Sequence, residues 1–218
     1  MRIHLKIRSS SELVSFNHQQ LLTGTIHKWI GWNEEHGNVS LHSFSRLEGG
    51  KIRNSGLLFE NGASFFFSSH DLFLSKRIIA GIQRDPKMFE GLVVSEIIIE
   101  EEPDLTNRDY FNVASPIFIK RKEGSRVDHI LYDDPRANDC LKETLQTRMK
   151  KAGIICEDFE IKFDNTYAKA GTKKITYNGI QNRASWCPVI IIGNSDIKQF
   201  AWNVGLGNST GIGFGAIK

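Results

Sequence analysis

At 218 residues the chain is long enough for one large domain or two small ones with separate cores. Its 40% hydrophobic and 24% charged residues read as a soluble globular protein, and no apolar run reaches the ~18 residues of a membrane span. Three widely spaced cysteines, Cys140, Cys156 and Cys187, suggest neither a disulfide framework nor a zinc knuckle, and a net charge of +3 permits a nucleic-acid partner without arguing for one.

Residues 2–8 alternate apolar and charged, with Ile3, Leu5 and Ile7 on one face, which predicts a half-buried strand rather than a secretory leader. With unpaired cysteines, this points to a reducing, cytoplasmic setting. From Asn17 to Trp32, Leu21, Leu22, Thr25, Ile26, Trp29 and Ile30 recur at helical spacing, with Asn17 as N-cap and Gly31 and Asn33 as breakers. A polar loop over 33–38 leads to an alternating strand over 39–47 and a turn at Gly49-Gly50-Lys51. Residues 57–59 and 64–68 read as strands joined by Asn61-Gly62, a strong hairpin signal. An amphipathic helix over 71–83 and a strand over 92–100 complete a β-α-β-β-α-β order, the ferredoxin-like signature.

Glu101-Glu102-Pro103-Asp104 is the best linker, and sets a first domain at 1–102. The second half repeats the order over 108–218. Residues 110–121 form a strand with Pro116 at an edge or bulge, 138–151 a helix ended by Gly153, and 159–163 and 174–177 strands. A long strand over 183–192, a short helix over 196–204 and a last strand over 213–217 close the unit. The predicted class is α+β: two tandem ferredoxin-like domains facing each other, each with its helices on one side of its sheet.

Between the last helix and the last strand runs Gly205-Leu206-Gly207-Asn208-Ser209-Thr210-Gly211-Ile212-Gly213-Phe214-Gly215, five glycines in eleven residues. Such a stretch cannot be a helix, since each glycine costs ~1 kcal/mol against alanine there. It is not a P-loop, which ends in Gly-Lys-Ser/Thr before a helix, nor a dinucleotide fingerprint, because position 210 is Thr and no helix follows. Its N–H groups can form an anion-binding nest, and its apolar residues predict a loop gripped by a core. The pattern resembles the glycine-rich loop of the CRISPR-associated RAMP superfamily, and more narrowly the endoribonucleases that cut repeat RNA precursors into guide RNAs, the Cas-six family. Tandem ferredoxin-like domains are the architecture that this resemblance implies.

The resemblance extends to residues 17–27, which look like the family's first helix, and to Leu41-His42-Ser43-Phe44-Ser45, which matches a common family strand. It implies a catalytic Tyr or His near the helix end, here His27, and a catalytic His in the following loop, here His36. Some members carry a lysine just before that strand; here the position is Ser40, and Lys51 and Arg53 are the nearest cations. On chemistry alone, His27, His36 and His42 lie within sixteen residues and can converge on one spot. Histidine titrates near neutrality and exchanges protons with reacting groups. Cleavage of RNA by its own 2′-hydroxyl needs a base, an acid and a donor or cation on the phosphorane, and no metal or cofactor.

Basic residues are scattered: Lys120, Arg121, Lys122 and Arg126 flank a hairpin at Gly124, while Lys173 and Lys174 follow Gly171 and Arg183 lies towards the glycine loop. The expected RNA contacts are Gly205, Gly207, Gly211, Gly213, Gly215, Lys51, Arg53, Lys173, Lys174 and Arg183. The expected partners are CRISPR repeat RNA and other CRISPR-associated proteins, with no membrane and a monomer or homodimer. The leading reading is a metal-independent endoribonuclease. The alternatives are a non-cleaving RNA-binding subunit of the same superfamily, or a metabolite-binding regulatory domain, which the glycine loop disfavours.

Overall fold

The computed structural model describes residues 1–31, 39–124, 126–155 and 158–218. The first half runs β1 (Arg2–Ile7), β2 (Leu13–Val14), α1 (Gln19–Ile30), β3 (His42–Phe44), β4 (Lys51–Arg53), β5 (Gly56–Leu58), β6 (Ala63–Ser69), α2 (Leu72–Arg84) and β7 (Val94–Glu100). Its main sheet has the antiparallel order β3-β6-β1-β7. With the small side sheet β2-β5-β4 set aside, this is second-third-first-fourth, the ferredoxin-like arrangement. Ile3 and Leu5 face Phe67 and Phe65 across β1 and β6, and Phe44 faces Phe67 from β3. These side chains meet Leu22, Ile26, Leu74, Ile78 and Ile82 of the two helices in one core. The helices approach closely at Gly81, where a Cβ would strike the backbone of Trp29. The Asp71 carboxylate caps α2 by accepting the Phe73 N–H at 2.8 Å.

Two local expectations are corrected. The strands flanking Asn61-Gly62 do not form a hairpin: β5 pairs with β2 and β4, whereas β6 pairs with β1 and β3. Burying Phe65 and Phe67 in the main core outweighs the local turn. Gly62 is needed for close approach, since at φ +81° a Cβ there would lie 2.5 Å from the Ile7 carbonyl oxygen. Helix α1 starts at Gln19 behind His18, which makes no side-chain capping bond, so Asn17 lies outside it.

The second half contains β8 (Tyr110–Phe111), β9 (Ile119–Glu123), β10 (Arg126–Ile130), α3 (Ala137–Lys151), β11 (Glu160–Phe163), β12 (Gly171–Tyr177), β13 (Ile180–Trp186), β14 (Val189–Ile192) and α4 (Ser195–Val204). Its sheet has the order β11-β14-β8, and a Val113–Ile217 bridge places the chain's end beside the β8 segment. The order is again second-third-first-fourth. The predicted strand over 183–192 divides at Cys187-Pro188 into β13 and β14, which join different sheets; Pro188 has no N–H for a continuous ladder. The strand over 110–121 divides likewise around Pro116, and residues 174–177 belong to a projecting hairpin, β12–β13, instead of the core sheet. The last strand reduces to the single bridge.

The two halves meet on the face of the first sheet away from α1 and α2, and again along α1, which touches β12. Ser43, Ser45 and Ser68 on that face are buried, and their small side chains let α4 lie against β3 and β6. Arg2 is buried there between two rings, its guanidinium 3.9 Å from the Phe66 centroid and 3.4 Å from the Trp202 centroid. It donates to the carbonyls of Trp202 and Ile217, each at 2.8 Å. Cys140 and Cys187 are free and buried. No helix among the described residues is long and apolar enough to cross a membrane.

Candidate functional site

The glycine loop sits at this junction and touches both halves. Gly205, Gly207, Gly213 and Gly215 all take positive φ, the region that favours glycine. A Cβ on Gly205 would lie 2.9 Å from the Ser43 Cβ, one on Gly207 2.5 Å from the Phe118 carbonyl oxygen, and one on Gly213 2.7 Å from the Phe44 ring. Helix α1 grips the loop from the first half: the Gln19 amide donates to the Ile212 carbonyl at 2.8 Å, and the Thr23 hydroxyl reaches the same oxygen at 3.4 Å.

Much of the loop's backbone is engaged inside the protein. The N–H of Leu206 donates to Gly215, that of Asn208 to Phe118, that of Gly213 to Thr210 and that of Gly215 to Pro116. The loop offers a ligand its half-buried positions, Asn208, Ser209 and Ile212. From the other side Arg148 of α3, fully buried, donates to the carbonyls of Gly205 and Gly207. Burial pushes its guanidinium pKa down to about 10. The sequence carried a signal for this residue: Leu141, Leu145 and Arg148 fall on one helical stripe, so the arginine sits where an apolar residue is expected.

Of the three histidines, His42 is brought to the loop. Its Nε2 lies 3.2 Å from where a Gly211 Cβ would be, and its ring is 5.3 Å from the Phe67 ring. The side chain is 3% exposed. His27 is half-buried in the last turn of α1, about one turn (roughly 6 Å) beyond Thr23. The Gly31 N–H caps that end by donating to the His27 carbonyl at 2.9 Å. His36 lies outside the described residues.

The cations separate into two groups. Lys51 and Arg53 share Glu60 on an exposed edge, at 3.0 and 3.2 Å, and their hydrogen bonds, Lys51 first, hold that carboxyl below the usual range. Lys173, Lys174 and Arg183 belong to the β12–β13 hairpin, where Lys174 stands directly opposite Arg183. Among the described residues these three form no ion pair. The hairpin reaches the first half, the Asn178 N–H donating to Gln20 at 3.3 Å. Midway along it the Arg183 N–H donates to His129 Nδ1 at 3.3 Å, which fixes the neutral tautomer with its proton on Nε2.

A family model described as CRISPR associated protein Cas6, C-terminal, matches residues 100–218, more than half of the chain. The chain belongs to the Cas6 family. CRISPR-associated endoribonuclease Cas6 1 of Methanocaldococcus jannaschii is 25% identical to it over 235 residues, covering 100% of this chain and 92% of the relative. A CRISPR-associated endoribonuclease-like protein Cas6 of Pyrococcus furiosus is 24% identical over 241 residues, covering 100% of this chain and 98% of the relative. Among solved structures, the product of a Cas6-related gene from Pyrococcus furiosus superposes with a TM-score of 0.86 at 23% identity, over 100% of this chain and 97% of that one. A RAMP protein described as binding different RNA substrates gives 0.84 at 22% identity, over 100% and 98%. These structural likenesses concern the fold: this Cas6 chain has the family's pair of ferredoxin-like units. Within it, sequence reasoning missed Gln19, Thr23 and Arg148, which hold the Cas6 glycine loop from either side.

Proposed function

We propose that this Cas6-family protein is an endoribonuclease that cuts CRISPR precursor RNA within its repeats, without a metal ion. A ribose 2′-oxygen attacks the adjacent phosphorus while a base takes its proton. The O2′–P bond forms, the P–O5′ bond breaks, and an acid gives a proton to the departing 5′-oxygen. The products carry a 2′,3′-cyclic phosphate and a 5′-hydroxyl. His36 and His42 are the first and second candidates for proton transfer, and His27 is the third, as a stabilising group. The observation that carries this reading is the seat of His42 against Gly211, with the cationic β12–β13 hairpin reaching towards α1. In this scheme a unit at 1–102 supplies the histidines and one at 108–218 the loop. Lys51 and Arg53 stand as phosphate contacts beside Lys173, Lys174 and Arg183, while the five glycines, buried, shape the loop that presents Asn208 and Ser209.

The test is incubation of labelled repeat RNA with the protein in excess chelator. A 2′,3′-cyclic phosphate end is expected, and a 2′-deoxy substitution just upstream of the cut abolishes cleavage while sparing binding. His36→Ala and His42→Ala are each expected to slow cleavage at least ~10²-fold with little change in affinity. Cleavage at the parent rate by both, in proteins with parental circular dichroism, would place the active site elsewhere. The burial of His42 against Phe67 favours a second reading, an RNA-binding subunit that does not cut. Tight repeat binding with no product under any condition would select it.

A further inference from the structure

A cleft opens between the turn that starts α1 and strand β12, lined by Phe16, Asn17, Gln19, Arg46, Lys174 and Thr176. We propose that it binds a single-stranded segment of RNA, one base stacking on Phe16 and the neighbouring phosphates bridging Arg46 and Lys174. The inference rests on the RNA reading above and adds to it the form of RNA and the residues that hold it.

Three observations carry it. The first is the pairing of two cations without an acid. Neither Arg46 nor Lys174 forms an ion pair among the described residues, although one comes from each half of the chain. Arg46 is also partly withdrawn from water, and that burial lowers its pKa, so an incoming anion meets a cation already stripped of part of its hydration. The second is Phe16, an aromatic ring 49% exposed at the cleft wall. Its turn is rigid: His18 Nδ1 bonds the Ser15 carbonyl at 2.8 Å, and the His18 ring stacks on Phe89 with an interplanar angle of 16°. The Glu90 carboxylate beside this turn is engaged by the Ser15 N–H at 2.9 Å. An exposed ring presented beside unpaired cations is the arrangement that binds unpaired bases, because every base has a π-face and every linkage a phosphate. A duplex keeps its bases stacked and leaves such a ring unused. The third is continuity. Gln19 lines the cleft and hydrogen-bonds the Ile212 carbonyl, so one strand can run from the glycine loop into the cleft.

The larger cleft between the halves is a weaker candidate. It is lined by Arg2, His4, Glu48, Glu100, Arg108 and Lys218, and its cations largely meet acids: Arg2 with Glu100 at 4.0 Å and Lys218 with Glu48 at 2.8 Å.

The experiment is fluorescence anisotropy with a labelled ten-nucleotide unstructured RNA, a fully paired RNA duplex and the repeat RNA, each over a salt series. Phe16→Ala is expected to weaken binding of the unstructured RNA roughly tenfold, as loss of one stacked base implies, and Phe16→Trp to restore it. Arg46→Gln with Lys174→Gln is expected to lower the slope of log affinity against log salt by about 1.4, two single-strand phosphates' worth. Lys142→Gln, a cation paired with Asp158, should leave both unchanged. Parental affinity in Phe16→Ala would overturn the proposal, and that variant keeps the test valid even if Arg46→Gln unfolds, because Phe16 is exposed. Equal loss of duplex binding would overturn the single-strand assignment. Repeat binding and cleavage with an indifferent Phe16 would sink this inference and leave the function standing. Phe16-dependent binding without cleavage would do the reverse.

Discussion

His18 shows how a side chain can be coupled to pH by position alone. It is 3% exposed, and burial lowers its pKa from 6.5; nearby Arg46 acts in the same direction, while the Ser15 carbonyl and Glu90 oppose it. The folded protein therefore binds this proton less readily than the unfolded chain. As pH falls below 6.5 the unfolded state takes up more protons, so stability present above 6.5 is lost on acidification through the folded value. His70 and His129, both lowered chiefly by burial, act in the same sense. The melting temperature is expected to fall between pH 7 and pH 5, and less steeply in His18→Gln; a parallel curve for that variant would assign the dependence to the other histidines. Arg148 is also buried, and among the described residues no acid pairs with it; the carbonyls of Gly205 and Gly207 at the end of α4 stand in for one.

At the scale of elements, the glycine loop and the β12–β13 hairpin make contrasting demands. Gly213 has φ +88°, and a Cβ there would run into Gln19 and the Phe44 ring. Gly213→Val is expected to cost roughly 1–3 kcal/mol from backbone strain alone, with steric overlap added. Asn208→Ala, at a half-buried tip position, should cost less. Urea unfolding of the two variants compares them directly, and equal midpoints would show that the loop relaxes. In the hairpin, Lys174 opposes Arg183 with no acid between them, an arrangement that weakens strand pairing. Lys174→Glu should therefore stabilise the fold by about 0.2–1 kcal/mol while lowering RNA affinity. A variant both less stable and equally tight in binding would show that the two cations serve the fold.

The molecule as a whole depends on a junction made of small and unusual residues. Ser43, Ser45 and Ser68 allow α4 to approach the first sheet, and Arg2 fastens it through two rings and two carbonyls. Burial pushes the Arg2 guanidinium pKa down to about 9. Arg2→Met removes charge-assisted bonds to two buried oxygens and should destabilise the protein by about 2–4 kcal/mol. Thermal unfolding should remain a single transition at lower temperature. Two resolved transitions would mean that the halves are stable apart.

The sequence by itself determined the elements whose partners are close along the chain. The amphipathic pattern over 71–83 marked α2, whose buried stripe is Leu74, Ile78 and Ile82, and Ile3, Leu5 and Ile7 marked the inner face of β1, because periodicity is local; the cap by Asp71 came from the structure. The element order, with five glycines near the chain's end, was enough to point to paired ferredoxin-like units. Only the tertiary structure decided that β6 leaves Asn61-Gly62 to pair with β1, since the gain lies in burying Phe65 and Phe67 against residues sixty positions away. It alone placed His42 beneath Gly211 instead of on an open surface, because that burial comes from pairing with β6 and from a loop nearly 170 residues later. It also brought Arg46 and Lys174 to one cleft. Charge and shape at a junction of two halves depend on which faces meet, and no local pattern along the chain encodes that.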